Sequence, residues 1–146
     1  MDEFQLHLEA VLDAPPERVF QALAESDQLA QWWGPAGFSS PNVDFDPRAG
    51  ASYRIKMQPP EGEAFHLRGE FRKVEPPRRL AFTFIWEEPD PDDQETLVTL
   101  TLEDLGGSTR LIVDQGLFAT EGRLELHRNG WSESFERLRD ALAAAD

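Results

Sequence analysis

The hydrophobic pattern of this chain changes its period once, and that change limits the folds that the chain can adopt. From Phe4 to Asp13, and in six later segments between residues 39 and 115, apolar and polar residues alternate, which is typical of half-buried strands. From Leu124 to Leu142 the apolar residues recur every three to four positions, which predicts one helix from about Thr120 to Ala144. The pattern indicates a sheet and one long helix.

Two short helices are predicted between the first strand and the second. Pro16 to Ala24 begins with a proline, which fits the first turn of a helix, and carries apolar residues on one face. Ser26 and Asp27 predict the cap of a second helix from Gln28 to Trp33. The later strands are predicted, between turns rich in proline or glycine, at residues 39–46, 52–57, 65–74, 80–86, 97–103 and 109–115.

Consecutive strands joined by short turns predict an antiparallel sheet whose single apolar face needs a cover. The last helix has an apolar stripe of suitable length. We therefore expect an α+β helix-grip architecture: a curved antiparallel sheet of about seven strands wrapped around the C-terminal helix. Residues 1–146 are expected to form one domain, which agrees with the usual size of domains. Gly130 lies inside the helix, where glycine is unfavourable, so we expect a tertiary reason for it.

The acidic composition limits the partners of the chain. Fourteen Lys and Arg residues stand against 28 Asp and Glu residues, and the net charge is −14. Such a surface repels phosphate backbones and anionic lipids, so binding to nucleic acid or membranes is not expected. Lysine occurs only at positions 56 and 73, which fits a high-salt cytoplasm and a GC-rich genome equally well.

Targeting and redox features are also informative. The chain has no cysteine, which excludes a disulfide framework and a cysteine nucleophile. Residues 1–3 are followed by no apolar segment of the kind found in signal peptides, and no apolar run approaches 18 residues. A cytoplasmic location is the expectation.

Residues 87–95 contain six acidic side chains and no base. Runs of like charge usually stay solvated, so a mobile hairpin loop is the preferred interpretation. The alternative is a cation site or a docking surface for a basic partner. The segment lacks the pattern of a calcium-binding loop.

Chemical motifs are scarce. The chain has no nucleophile elbow, no phosphate-binding glycine loop and no zinc-binding His-Glu-x-x-His motif, so no metal or cofactor is expected. His7 and His66 alternate with apolar residues and are predicted to face outward. His127 lies on the apolar stripe of the last helix, one turn before Trp131. It is either a partly buried histidine bonded to a backbone carbonyl, which we favour, or a ligand contact or base.

The aromatic residues have two interpretations. They fill a solid core, or they line a gap at the wider end of a sheet curved around one helix. Ligand pockets are mostly apolar with a few polar groups, which fits the second interpretation. The adjacent Trp32 and Trp33 precede Gly34 and Pro35 in a loop-like segment, where packing alone explains them less well.

Several segments in series resemble a known family: residues 16–23, the tryptophan pair within 29–35, the turn at 46–51 before Tyr53, residues 107–111, and His127-x-x-Gly130-Trp131. Together they resemble the bacterial stand-alone homologues of the heat-shock chaperone ATPase activator. These proteins belong to the START/birch-pollen-allergen-like (SRPBCC) superfamily. Ala51 replaces the usual second glycine of the turn, and the chain has no counterpart of the eukaryotic N-terminal chaperone-binding domain.

The resemblance implies a helix-grip fold with a cavity between the sheet and the last helix. Members of the superfamily bind hydrophobic small molecules, lipids or polyketides there, and a few are cyclases or hydrolases. Our first hypothesis is therefore a protein that binds a hydrophobic or aromatic small molecule. The predicted ligand-binding residues are Trp33, Phe38, Tyr53, Met57, Phe65, Phe84, Trp86, His127, Trp131 and Phe135, with Arg54 as a further polar anchor although alternation points it outward.

Two other hypotheses come from different classes. The first is a chaperone-interacting module whose acidic surface meets a basic partner, with a homodimer as a further possible assembly. The second is an enzyme of the cyclase or dehydratase type with His127 as its base. The enzyme hypothesis requires a second titratable group beside His127.

Overall fold

Seven strands and three helices follow one another in the predicted order. The computed structural model describes residues 4–144. The elements are β1 (Leu6–Leu12), α1 (Pro16–Ala24), α2 (Ser26–Leu29), β2 (Ser39–Asp44), β3 (Ser52–Gln58), β4 (Phe65–Glu75), β5 (Arg79–Trp86), β6 (Thr96–Asp104), β7 (Thr109–Gly116) and α3 (Glu121–Ala144).

The seven strands form one antiparallel sheet in the order β1-β7-β6-β5-β4-β3-β2. Each strand from β2 to β6 pairs with the next one in the chain, whereas β1 pairs with β7 and forms the edge opposite to β2. The segment with α1 and α2 therefore connects the two outermost strands. The expected helix-grip arrangement is confirmed.

Helix α3 covers the apolar face of the sheet. Its buried side chains include Leu124, Trp131, Phe135, Leu138 and Leu142, which lie on the stripe that the sequence predicted. These residues join the inward-facing residues of the strands in one core. Among the described helices, none combines the length and the apolar character needed to cross a bilayer.

Side-chain hydrogen bonds join β3 and β4 to β5 around Gly69. The Tyr53 hydroxyl donates a hydrogen bond to the carbonyl oxygen of Thr83 at 2.6 Å, and the Glu70 N–H donates to the Thr83 hydroxyl at 2.8 Å. A Cβ atom on Gly69 would lie 1.9 Å from that carbonyl oxygen. Glycine is therefore required for the Tyr53 ring to reach between the strands.

Helix α2 and strand β2 differ from their predicted bounds for one reason. Ser26 does not cap a helix over residues 28–33, because it is itself the first residue of α2. Its hydroxyl donates to the carbonyl of Phe45 at 2.8 Å and accepts from the N–H of Phe45 at 2.9 Å. Phe45 therefore bonds to the helix, and β2 ends at Asp44 rather than at Asp46.

Candidate functional site

A cavity of about 170 Å³ lies between α3 and one end of the sheet and opens to solvent. Its wall comes from the loop after α2, from β3, β4 and β5, and from α3. The lining is apolar except for a few polar groups, as is usual for ligand sites. The lining residues are Trp33, Gly34, Pro35, Phe38, Met57, Phe65, Phe84, Trp86, Leu126, His127, Gly130, Trp131 and Ser134.

The two adjacent tryptophans have different environments. Trp32 is fully buried, and its indole N–H donates to the carbonyl of Ala22 at 2.9 Å, which joins the turn after α2 to α1. Trp33 lines the cavity and meets Trp131 edge-on, with ring centroids 5.3 Å apart. The first tryptophan therefore stabilises the core and the second shapes the site.

Trp131 is fixed by a buried hydrogen-bond chain. Its indole N–H donates to Oε1 of Gln115 at 2.7 Å, and the Gln115 amide donates to the Thr96 hydroxyl at 2.9 Å. Gln115 is fully buried, so these bonds satisfy polar atoms that would otherwise be costly. The chain holds the Trp131 ring in a fixed orientation in the cavity wall.

The loop at residues 33–38 is held against α3 by polar contacts. Ser134 Oγ accepts from the N–H of Gly34 at 3.1 Å. Arg137 donates to the carbonyls of Trp33, Gly34 and Pro35 at 3.0 to 3.2 Å. Gly34 has φ of 98°, which favours glycine. The rim of the cavity therefore has a defined backbone conformation.

Gly130 has the tertiary role that its position in the helix predicts. A Cβ atom there would lie 3.9 Å from Pro35 Cγ, which is an ordinary contact, so backbone crowding does not require the glycine. Instead Gly130 lines the cavity. Its missing side chain keeps this part of the cavity open.

His127 lies among aromatic rings in the cavity wall. Its ring centroid is 4.8 Å from that of Phe118, 5.2 Å from that of Phe84 and 6.0 Å from that of Trp86. Burial, with a smaller contribution from the positive charge of Arg123, lowers the pKa of His127 to about 4. The imidazole is therefore neutral near pH 7.

The favoured interpretation of His127 is right about its partial burial. It is wrong about the partner, since no hydrogen bond among the described residues joins the His127 side chain to a backbone carbonyl. The enzyme hypothesis requires a titratable group in contact with it. Arg123 is the charge that acts on it, and a cation opposes the protonation of a base. The site thus gives His127 the properties of a neutral hydrogen-bonding group.

A pH titration of stability tests this environment. The folded-state pKa of His127 is lower than the 6.5 of the unfolded chain, so the unfolded state binds the proton first and stability falls as the pH drops from 6.5 towards 4. Between pH 7 and pH 4 we expect the wild type to lose about 3 kcal/mol more unfolding free energy than His127→Phe. Urea unfolding at several pH values measures both. Parallel pH curves would contradict the assigned environment.

The structure brings together eight of the ten predicted ligand-binding residues, all except Tyr53 and Phe135. Tyr53 packs against Phe45 instead, and Phe135 lies beyond Trp131 in the core. Arg54 faces away from the cavity, as its alternation predicted, and donates two hydrogen bonds to Glu87 at 2.7 and 3.0 Å. It is not positioned to anchor a ligand there.

Sequence reasoning missed five lining residues, which are Gly34, Pro35, Leu126, Gly130 and Ser134. Two of them are glycines that contribute space rather than side chains. Ser134 lies three residues after Trp131, so helical spacing would have found it. Leu126 is an exposed residue next to His127, and helical spacing from His127 or Trp131 does not reach it.

The acidic segment at residues 87–95 is bound to the rest of the protein more closely than its composition suggests. Asp90, Asp92 and Asp93 all pair with Arg123 of α3, whose side chain is only 13% exposed. The expectation of a solvated loop is right for Asp90 and wrong for Asp93, of which 9% is exposed. The chaperone-partner hypothesis stays a prediction, and a basic partner would compete with these internal pairs.

His66, Glu87 and Glu88 form a group whose ligand atoms lie within 4.8 Å of one another, a spacing that a metal site would also show. The contacts explain the cluster without a metal. Glu87 accepts from Arg54, which lowers the pKa of Glu87, and Glu88 accepts from the His66 ring and backbone N–H, each at 3.0 Å. We assign no metal to it.

A sheet that grips one long helix, with a cavity between them, defines the helix-grip class. A family model described as "Activator of Hsp90 ATPase homolog 1-like protein" matches residues 13–143, and the chain belongs to this family. The resemblance seen in the sequence is confirmed.

Solved structures agree with this classification. The chain is similar to the AHSA1 protein of Silicibacter pomeroyi, with 30% identity and a TM-score of 0.86 over 97% of this chain and 99% of that one. It is also similar to a protein of Chromobacterium violaceum, with 27% identity and a TM-score of 0.84 over 93% of this chain and 94% of that one. No curated protein matches the chain.

Proposed function

We propose that the protein binds a small hydrophobic or aromatic molecule in the cavity between the sheet and α3. The observation that carries this proposal is the unfilled volume of about 170 Å³ behind a wall of aromatic side chains. An interior filled by side chains, with no void of ligand size, would have contradicted the hypothesis.

The energetics of the cavity support the proposal. Protein interiors are close-packed, and an apolar void loses the contacts that a filled core would have. Here the void persists beside Gly130, a residue that itself weakens a helix by about 1 kcal/mol relative to alanine. Both features weaken the fold, and a ligand that fills the cavity would recover the lost contacts.

The construction of the wall supports it further. Gln115 fixes Trp131, and Ser134 and Arg137 fix the loop that carries Trp33. A site whose groups are held in place before binding loses less conformational entropy when a ligand arrives. The hydrophobic ligands of the superfamily, which the resemblance implies, agree with this interpretation.

Filling the cavity from within tests the function. We expect Gly130→Leu to place its side chain in the void and to weaken binding at least about tenfold, since the ligand loses its space. The probes are 1-naphthol, which is aromatic, and 1-decanol, which is aliphatic, and calorimetric titration measures both.

Gly122→Leu is the matched control. Gly122 lies in the same helix, is exposed and does not line the cavity. The Gly122→Leu substitution should leave the affinity for both probes unchanged. The proposal is supported if the wild type binds either probe and only Gly130→Leu weakens that binding. Absence of binding by both probes, or equal losses in the two variants, would overturn it.

A further inference from the structure

We propose that the ligand of this cavity is an uncharged aromatic molecule of one ring or two fused rings, carrying one hydrogen-bonding group that contacts His127. The inference rests on the proposed function and narrows the chemical class of its ligand. Three properties of the cavity carry it: its size, the absence of charge from its lining, and the place of its one imidazole.

Size limits the enclosed part of the ligand. An apolar cavity of about 150 Å³ holds one benzene molecule, so a cavity of about 170 Å³ encloses one ring or a compact pair of fused rings. A long acyl chain would leave most of its length outside the cavity, in water. The aromatic wall also favours a ring, because aromatic pairs gain roughly 0.5–1.5 kcal/mol beyond the burial of their area.

Charge limits the ligand further. The described lining contains no aspartate, glutamate, lysine or arginine side chain. An anion would lose its hydration without gaining a counter-ion, which is costly in an apolar site. A cation would gain contact with aromatic faces, but it too would lose its hydration without meeting a counter-ion in the lining. A neutral ligand meets neither cost.

His127 determines where the polar group of the ligand lies. Of the polar side chains in the wall, the indoles of Trp33, Trp86 and Trp131 can only donate a hydrogen bond, and Ser134 already accepts from Gly34. His127 has no such partner among residues 4–144. A neutral imidazole offers one donor and one acceptor, so a hydroxyl or a ring N–H suits it equally.

The experiment compares probes of similar size on the full chain by calorimetric titration at pH 7.5. The set is 1-naphthol, its anionic relative 1-naphthoate, the cation phenyltrimethylammonium and the aliphatic 1-decanol. We expect 1-naphthol to bind at least about tenfold more tightly than each of the other three. Equal or tighter binding of any of the three would overturn the inference, although the cavity would still be a binding site.

The variant His127→Phe tests the polar contact. It keeps a ring of similar size and removes the imidazole nitrogens. We expect its affinity for 1-naphthol to fall about fivefold, the value of one net hydrogen bond, while its affinity for naphthalene stays unchanged. Parallel losses for the two probes would show a merely structural role and overturn the assignment. Failure of every probe, naphthalene included, would instead contradict the proposed function.

Discussion

Replacing Gly69 by alanine is expected to cost at least about 4 kcal/mol of unfolding free energy, or to prevent folding. The added methyl group would lie 1.9 Å from the backbone oxygen of Thr83 and 2.7 Å from the ring of Tyr53. Neither neighbour is the end of a flexible side chain. The strands would have to separate, and the hydrogen bond from Tyr53 to Thr83 would be lost.

Gly107→Ala is the matched control for this prediction. Gly107 has φ of 106° in the turn between β6 and β7, with no atom within 4 Å of an added Cβ. Its replacement should cost only about 1 kcal/mol, from the backbone conformation alone. Urea denaturation followed by circular dichroism measures both variants. Equal losses would show that contact at Gly69 is not the cause.

Trp32→Ala is expected to have the second largest effect, a loss of about 4 kcal/mol of unfolding free energy. The substitution empties a fully buried site of the volume of an indole ring and leaves the carbonyl of Ala22 without its donor. The contact holds the turn after α2 against α1. Thermal and urea unfolding measure the loss.

The neighbouring Trp33→Ala provides the comparison. Trp33 borders a cavity on one side, so its removal enlarges an existing void rather than creating one in a packed core. We expect the loss of stability to be at least about 1 kcal/mol smaller than that of Trp32→Ala. A larger loss for Trp33→Ala would contradict the division of roles between the two residues.

Much of the fold was predictable because local patterns and burial agree. Helix α1 has its predicted bounds, and the alternation of Tyr53, Ile55 and Met57 correctly gave the inward face of β3. A strand buried on one side must alternate, and a one-residue slip would expose its whole apolar set. The predicted bounds are wrong where a side chain bonds to a residue far away in the sequence and not to its neighbours. Ser26, for example, bonds to Phe45 and does not cap a helix.

The candidate site was less predictable. The sequence placed most of the right aromatic residues near one another, but it did not distinguish the cavity wall from the packed core. Tyr53 and Phe135 lie on the predicted inward faces, as the lining residues do, but they pack in the core and not at the cavity. Periodicity reports the face of an element, and it contains no information on where along that face a cavity lies.

The sequence by itself determined the order of the elements, the antiparallel sheet with its helical cover, the apolar faces and the acidic surface. Only the tertiary structure decided that Trp33 lines a cavity while Trp32 does not, that His127 is neutral, and that Arg123 holds the acidic segment. The physical reason is the range of the interactions. Faces and turns follow from neighbours within a few residues, whereas a void, a pKa shift or an ion pair depends on residues that folding brings together from distant parts of the chain.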